Sequence, residues 1–281
     1  MGTRGRSQVR SRGAKAGTTS EANFDSDASA YFNRSGITDL AVKTAINNFI
    51  SGVKLDFSIA SLSERFDQLT MQANESEIGA PVDMTGNHLD QTLINSPIFT
   101  QWRGVKNANS TQYINSNFNP ALGTPKWTLN AHTWGGYVRS PTSGAQNNTM
   151  GSINAGFNGY QIWGNDGSGN FVGSDGSTSN SLYFANPGGP QVGLFSINRT
   201  ASNSVKWYRN NDVLASASWA PNLGILNQNF YFIGRNHDGL LGFATIGTEV
   251  ALTYIGQLSD TELTAFYARV QTLATTIGWN V

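Results

Sequence analysis

Between residues 70 and 257 the sequence falls into short alternating apolar and polar stretches, one every ten residues or so, separated by clusters of Gly, Asn, Ser and Asp. Side chains of an extended strand point alternately to opposite faces, so period-two segments at this spacing are the signature of a β-sandwich or barrel. Strands are expected over 133–139, 159–163, 181–184, 191–198, 204–209, 213–216, 229–234 and 249–256. The clearest hairpin joins 205–209 to 213–214 through Asn210-Asn211, because asparagine tolerates the positive φ that a tight hairpin turn demands. Composition agrees: 31 glycines, 11% aromatics and only 13% charged residues suit turns and strands rather than a helical bundle.

Helical periodicity appears only at the two ends. A helix is expected over 38–54, with Thr38 as N-cap and Val42, Ile46, Phe49, Ile50 and Val53 on one apolar face. Ser61-Leu62-Ser63-Glu64 reads as a capping box opening a second, short helix whose buried stripe is Leu62, Phe66 and Leu69. Ser259-Asp260-Thr261-Glu262 is another such box. The stripe Leu263, Phe266, Tyr267, Val270, Leu273, Ala274 and Ile277 follows it, and Gly278 is placed as a C-cap. The expected architecture is all-β with flanking helices: a basic flexible arm over 1–23, a helical lead-in over 24–71, and a β-sandwich or barrel over 72–281 with the C-terminal helix packed on it.

Charge is unevenly distributed. Arg4, Arg6, Arg10, Arg12 and Lys15 lie in the first 20 residues, which hold no acid; 13 of the 18 basic residues therefore remain to face 18 acids in the rest. The arm is too polar to bury anything by itself and reads either as an anchor to a larger assembly or to nucleic acid, or as a solvated tail. No apolar core of a secretory signal follows it, and no run of 18 apolar residues is present, so neither export by such a signal nor a membrane span is expected. The absence of cysteine excludes disulfides, thiolate metal sites and thiol nucleophiles, and fits synthesis in a reducing cytoplasm.

Signs of catalysis are sparse. His88, His132 and His237 stand far apart and outside any paired metal motif, and each reads as a surface or turn residue. A retaining glycosidase needs two carboxyls about 5–5.5 Å apart. Between Asp90 and Glu249 the acids are Asp166, Asp175, Asp212 and Asp238, all in turn-like surroundings and no two in one expected strand. Residues 165–170 have some of the oxygens of a calcium loop but lack its remaining acids, and read first as a hairpin turn. No catalytic residue, metal site or cofactor is expected. Binding is left to aromatics that could stack on sugar rings, among Trp127, Trp134, Tyr137, Tyr160, Trp163, Trp207, Tyr208 and Trp219. The candidate ligand residues are Trp134, Tyr137 and Trp163, with the polar turn Asn236, His237 and Asp238.

Several segments together resemble a concanavalin A-like (laminin-G-like) domain found in proteins of tailed bacteriophages and prophages. They are Phe24-Asp25-Ser26-Asp27-Ala28-Ser29-Ala30-Tyr31, Ser35-Gly36-Ile37-Thr38-Asp39, Ala45-Ile46-Asn47 and Phe66-Asp67-Gln68-Leu69. Ser96-Pro97-Ile98-Phe99-Thr100, Trp102-Arg103-Gly104 and the stretch from Tyr113 to Pro120 come next. Ile233-Gly234-Arg235-Asn236, the stretch from Ile255 to Asp260, and Phe266-Tyr267 complete the set. These motifs are turns, caps and core positions. The resemblance implies a concanavalin A-like jelly-roll β-sandwich, lectin-like, in a virion-associated structural protein, a head decoration, fibre or tail appendage, made in the host bacterial cytoplasm. Its partners would be other capsid or tail proteins, held through Arg4, Arg6, Arg10, Arg12 and Lys15, with room for homo-oligomerisation. Nucleic acid and membrane are not expected partners. The alternative function is a glycan-binding adhesion module for host surface polysaccharide; a glycoside hydrolase ranks below both. The acid and histidine pair of the legume-lectin metal site has no counterpart here.

Overall fold

The computed structural model describes residues 23–140, 150–156, 159–163, 170–177, 181–185, 191–221, 224–244 and 246–281. Helices α1 (Ser26–Ser35) and α2 (Leu40–Phe57) come first, then the strands β1 (Phe66–Thr70), β2 (Thr92–Ile94), β3 (Ile98–Thr100), β4 (Gly104–Lys106) and β5 (Tyr113–Asn115). Five longer strands follow: β6 (His132–Ser140), β7 (Met150–Ile153), β8 (Gly159–Trp163), β9 (Asn170–Ser177) and β10 (Ser181–Ala185). The chain continues through β11 (Gly193–Ala201), β12 (Ser204–Arg209), β13 (Asp212–Ala217), β14 (Tyr231–Phe232), β15 (Gly234–His237), β16 (Leu240–Gly242) and β17 (Glu249–Gly256), and ends in α3 (Asp260–Ile277).

The strands form two sheets. One runs β13-β12-β11-β6-β17-β4-β3, with β1 paired to the other end of the β17 edge that β4 occupies. The second runs β10-β9-β8-β7-β14-β5-β2, with β15 lying parallel to β7 and β16 closing a hairpin on β15. Alternation places Trp134, Val138, Phe195, Ile197, Val205 and Trp207 of the first sheet between the sheets, against Ile114, Tyr160, Ile162 and Phe232 of the second. On its other face the first sheet presents Tyr137, Leu194, Tyr208, Leu252 and Tyr254 to the helices. The molecule is thus three layers with two cores: helices, first sheet, second sheet. The expected sandwich with flanking helices is what forms.

Several local expectations hold. The strand over 249–256 has the expected bounds, and Asn210-Asn211 is a two-residue hairpin loop with Arg209 opposite Asp212 and Asn210 at φ 59°. Ser259 and Glu262 form the expected capping box, and Gly278 ends α3 in the left-handed region at φ 92°. Others shift. Asp39, not Thr38, caps α2, its carboxylate accepting from the amides of Ala41 and Val42, while Thr38 is bonded to Glu75. The Ser61 capping box is real but opens only a three-residue 3-10 turn, Leu62–Glu64. Phe66 and Leu69 then lie in β1, every residue of which is buried, so helical spacing there was coincidental. The lead-in thereby contributes a strand to the first sheet as well as helices to its face. The expected strand over 229–234 is broken at Ile233 (φ 52°) into β14 and β15, which pair with different neighbours.

Candidate functional site

The residues from Tyr113 to Asn119 read Tyr-Ile-Asn-Ser-Asn-Phe-Asn, with asparagine at every second position. Ile114, Ser116 and Phe118 are buried, so Asn115, Asn117 and Asn119 fall on the outward side of the second sheet. β14 pairs with β5 antiparallel, Tyr231 opposite Asn115, and the ladder runs on through Ser116 N–H to Phe230 O and Phe230 N–H to Phe118 O. That register brings Asn227 and Asn229 to the same outward side. Two cross-strand amide bonds result: Asn119 Nδ2 donates to Asn227 Oδ1 at 2.9 Å, and Asn229 Nδ2 donates to Asn115 Oδ1 at 3.2 Å.

The turn after β15 closes over this ladder. Asn236 is buried; its Nδ2 donates to Asn229 O at 2.7 Å and its Oδ1 accepts from Gly239 N at 2.8 Å. Gln228 ties the same turn down, accepting from Gly239 N and donating to Ile153 O. Asp238, at φ 57°, is exposed, and its own amide donates to Ile153 O. Together Asn119, Asn227, Gln228, Asn229, Tyr231, Asn236, Asp238 and Gly239 line an open depression of about 380 Å³. Most of its amides are fixed by bonds to each other. Asn227 Nδ2, Asn229 Oδ1 and the Asp238 carboxylate have no partner among the described residues, which leaves one donor and three acceptor oxygens facing the groove.

The expected polar turn is therefore at the groove, through Asn236 and Asp238, with half-buried His237 beside them opposite Leu240. The aromatic expectation is corrected. Trp134 is buried between the sheets and Tyr137 is buried under the helices, where its hydroxyl donates to Asn280 Oδ1, so neither can stack on a ligand. Trp127, Tyr160, Trp207 and Tyr208 are also buried: Trp127, Tyr160 and Trp207 in the core between the sheets, and Tyr208 on the opposite face of the middle sheet, under the helices. Trp163 of β8 pairs with Val172 of β9, and its side chain lies outside the described residues, as do Arg4, Arg6, Arg10, Arg12, Lys15 and Asp166.

The reading of His132 and Asp175 as surface or turn residues is also overturned. His132 and Arg199 sit opposite one another on β6 and β11, and Asp175 reaches them across the sandwich from β9. Asp175 Oδ1 is 2.7 Å from His132 Nε2, and its Oδ2 accepts from Arg199 Nε at 2.7 Å; all three side chains are fully buried. His132 Nδ1 faces Thr128 O at 2.8 Å, so both ring nitrogens lie within hydrogen-bonding distance of an oxygen. The ring also stacks on Trp127 at 3.9 Å. Burial pushes the Asp175 carboxyl up, but the charges and hydrogen bonds of His132 and Arg199 outweigh it and hold the group below its usual range. Sealed from solvent, this triad clamps the two sheets together.

Two other clefts are large. One of about 400 Å³ is lined by Glu64, Arg65, Arg199, Ser259 and Glu262, yet its charges are engaged: Arg65 with Glu262, Arg199 with Asp175, and Glu64 with the amides of Ala60 and Ser61. The other, about 520 Å³, adjoins the asparagine groove and shares Asn119 with it. Among the described residues no cluster of His, Cys, Asp and Glu could hold a metal ion, and no helix is long and apolar enough to cross a membrane.

Neither a protein-family model nor a curated protein sequence matches the chain. Solved structures do. The botulinum neurotoxin serotype D binding domain superposes with a TM-score of 0.54 at 14% identity, over 73% of this chain and 52% of that one. The ligand binding domain of the same serotype in complex with N-acetylneuraminic acid gives 0.52 at 13% identity, over 73% and 51%. A Trypanosoma rangeli sialidase mutant displaying trans-sialidase activity gives 0.52 at 9% identity, over 82% and 39%. The likeness is one of fold. The chain spans about half the length of the neurotoxin domains it matches, and a sandwich shared by binding domains and a sialidase does not choose between binding and catalysis.

Proposed function

We propose that this domain is a carbohydrate-binding module that takes saccharide hydroxyls in the asparagine groove. The observation that carries the reading is the convergence of Asn227 Nδ2, Asn229 Oδ1 and the Asp238 carboxylate in an open groove whose other amides are already locked by mutual bonds. Each sugar hydroxyl is both donor and acceptor, so a pair of neighbouring hydroxyls is matched by amide nitrogen, amide oxygen and carboxylate set side by side. Fixing the Asn227 and Asn229 amides beforehand lowers the ordering cost of binding. The similarity in fold to a domain solved with N-acetylneuraminic acid supports the same class of ligand.

The test is a broad panel of bacterial and animal glycans, followed by titration of the best binder against Asn227→Ala and Asp238→Ala. Each lost hydrogen bond to a neutral group is worth about 0.5–1.5 kcal/mol and one to a charged group about 1.5–3 kcal/mol. Asn227→Ala should therefore weaken binding several-fold and Asp238→Ala by one to two orders of magnitude. Wild-type failure across the panel, or variants that bind like wild type, would remove the groove from consideration.

The reading extends to where the module works: displayed on a bacteriophage particle as a structural component, anchored by the basic arm over 1–23 to other capsid or tail proteins. The acid-free first 20 residues of this arm, on an otherwise mildly acidic chain, support this, together with the family resemblance. Deleting residues 1–23 should abolish incorporation into particles while leaving glycan binding intact; particles that still carry the truncated protein would refute the anchoring role.

A further inference from the structure

The 520 Å³ depression beside the asparagine groove differs from it in kind. Half-buried Pro125 contributes apolar surface over the buried Phe118, and Leu122 stands beside it 62% exposed. Asn117 and Asn119 edge it, and Lys126 contributes an exposed ammonium. The nearby acids do not neutralise that ammonium by contact. Asp67 lines the depression too, but its buried carboxylate is turned to the backbone and accepts from the amides of Lys126 and Trp127, at 2.6 and 2.9 Å, while Glu64 accepts from Ala60 and Ser61. Lys126 makes no side-chain ion pair among the described residues. The neighbouring groove is the reverse case, with one free carboxylate, Asp238, and no cation in its lining.

We infer that the two depressions are consecutive subsites for one anionic saccharide chain, a neutral unit lying at Asp238 and a negatively charged unit at Lys126. This rests on the carbohydrate reading of the groove. Asn119 joins the two, lining both and bonded to Asn227 across the boundary. Each depression falls within the roughly 300–1,000 Å³ of ordinary small-ligand sites, so each accommodates its own unit. An amphipathic sugar ring fits the second: its C–H face lies on Pro125 and Leu122, its hydroxyls reach the asparagines, and its anionic group meets the lysine. Charge fixes the direction of the chain, because an anionic unit at Asp238 is repelled.

The anion could be a carboxylate, as in a uronic acid, or a phosphate, as in a phosphate-linked polysaccharide. The full chain is titrated with matched neutral, carboxylated and phosphorylated oligosaccharides from the families that bind, at low and high salt, alongside Lys126→Gln and Asp238→Asn. The expected result is at least tenfold preference for a charged form over its neutral counterpart, reduced by salt and abolished in Lys126→Gln. Whichever anion shows this dependence is the group the lysine takes. Binding that requires Asp238 but ignores both the anion and Lys126 overturns the second subsite and leaves the groove standing. Binding that ignores Asp238, or no binding of any form, overturns the groove and this extension of it together.

Discussion

Replacing Asp175 by asparagine is expected to cost about 3–5 kcal/mol of folding stability, because it leaves the Arg199 guanidinium buried without its counter-charge and disturbs the contact with the buried His132 ring. Loss of a buried partner is far more damaging than loss of the whole set. Joint replacement of His132 and Asp175 by leucine and of Arg199 by methionine should therefore recover much of the deficit. The acid dependence has a definite sign. The folded Asp175 carboxyl is held below its ordinary value, so its contribution is complete above the unfolded-state pKa of about 3.9 and fades as pH falls from there through the lower folded value. Urea unfolding midpoints between pH 2 and 7 should show a wild-type advantage over D175N that is flat near neutrality and narrows below about pH 4. A gap that widened on acidification would mean that the carboxylate is not what holds the clamp.

The second large effect is expected at the other core. Trp279 is fully buried just past the end of α3, edge-on to Tyr137 at 4.9 Å, and its carbonyl accepts from Arg139 Nε at 2.7 Å. Asn280 Oδ1 accepts from the Tyr137 hydroxyl at 2.7 Å. Gly278 turns the chain so that this short tail folds back onto the first sheet, with the amides of Gly278 and Trp279 both donating to Ala274 O. Trp279→Ala should cost about 3–5 kcal/mol, the usual range for emptying a large aromatic site. Calorimetry should show a lower unfolding temperature, and α3 should lose amide-exchange protection with it. Loss of the Trp279 side chain without a change in stability would show that α3 docks through its stripe alone.

Much of the architecture was legible because it rests on local rules. Alternation, capping boxes, the Asn210 turn and Gly278 are decided within a few residues, and those features appear where the sequence placed them. What was missed depends on partners far away in the chain. β1 is buried on both sides, so neither period was visible in it, and Phe66 and Leu69 happened to fit a helix. Asp175 is flanked by glycine and serine and resembles a turn residue until the sheet brings it to His132 and Arg199, 43 and 24 positions away. The aromatics were read as candidates for stacking because nothing in a sequence says that the middle sheet is covered on both faces. The groove had a readable signal, asparagine at alternate positions in 115–119 and again at 227 and 229. Only pairing of the two stretches turned it into a site, with the Asn236–Asp238 turn as its third wall.

The layering gives the molecule a back and a front. Phe24 packs into the helical core, and the Val281 amide donates to the Tyr137 hydroxyl under the same helices, so both ends of the described chain lie on one side. The asparagine ladder lies on the outward face of the far sheet. A tether at either end can thus hold the domain by its back without shadowing its front. Many copies fixed on a surface would all turn the same face to the medium, and weak contacts at each would add to a strong hold by number alone.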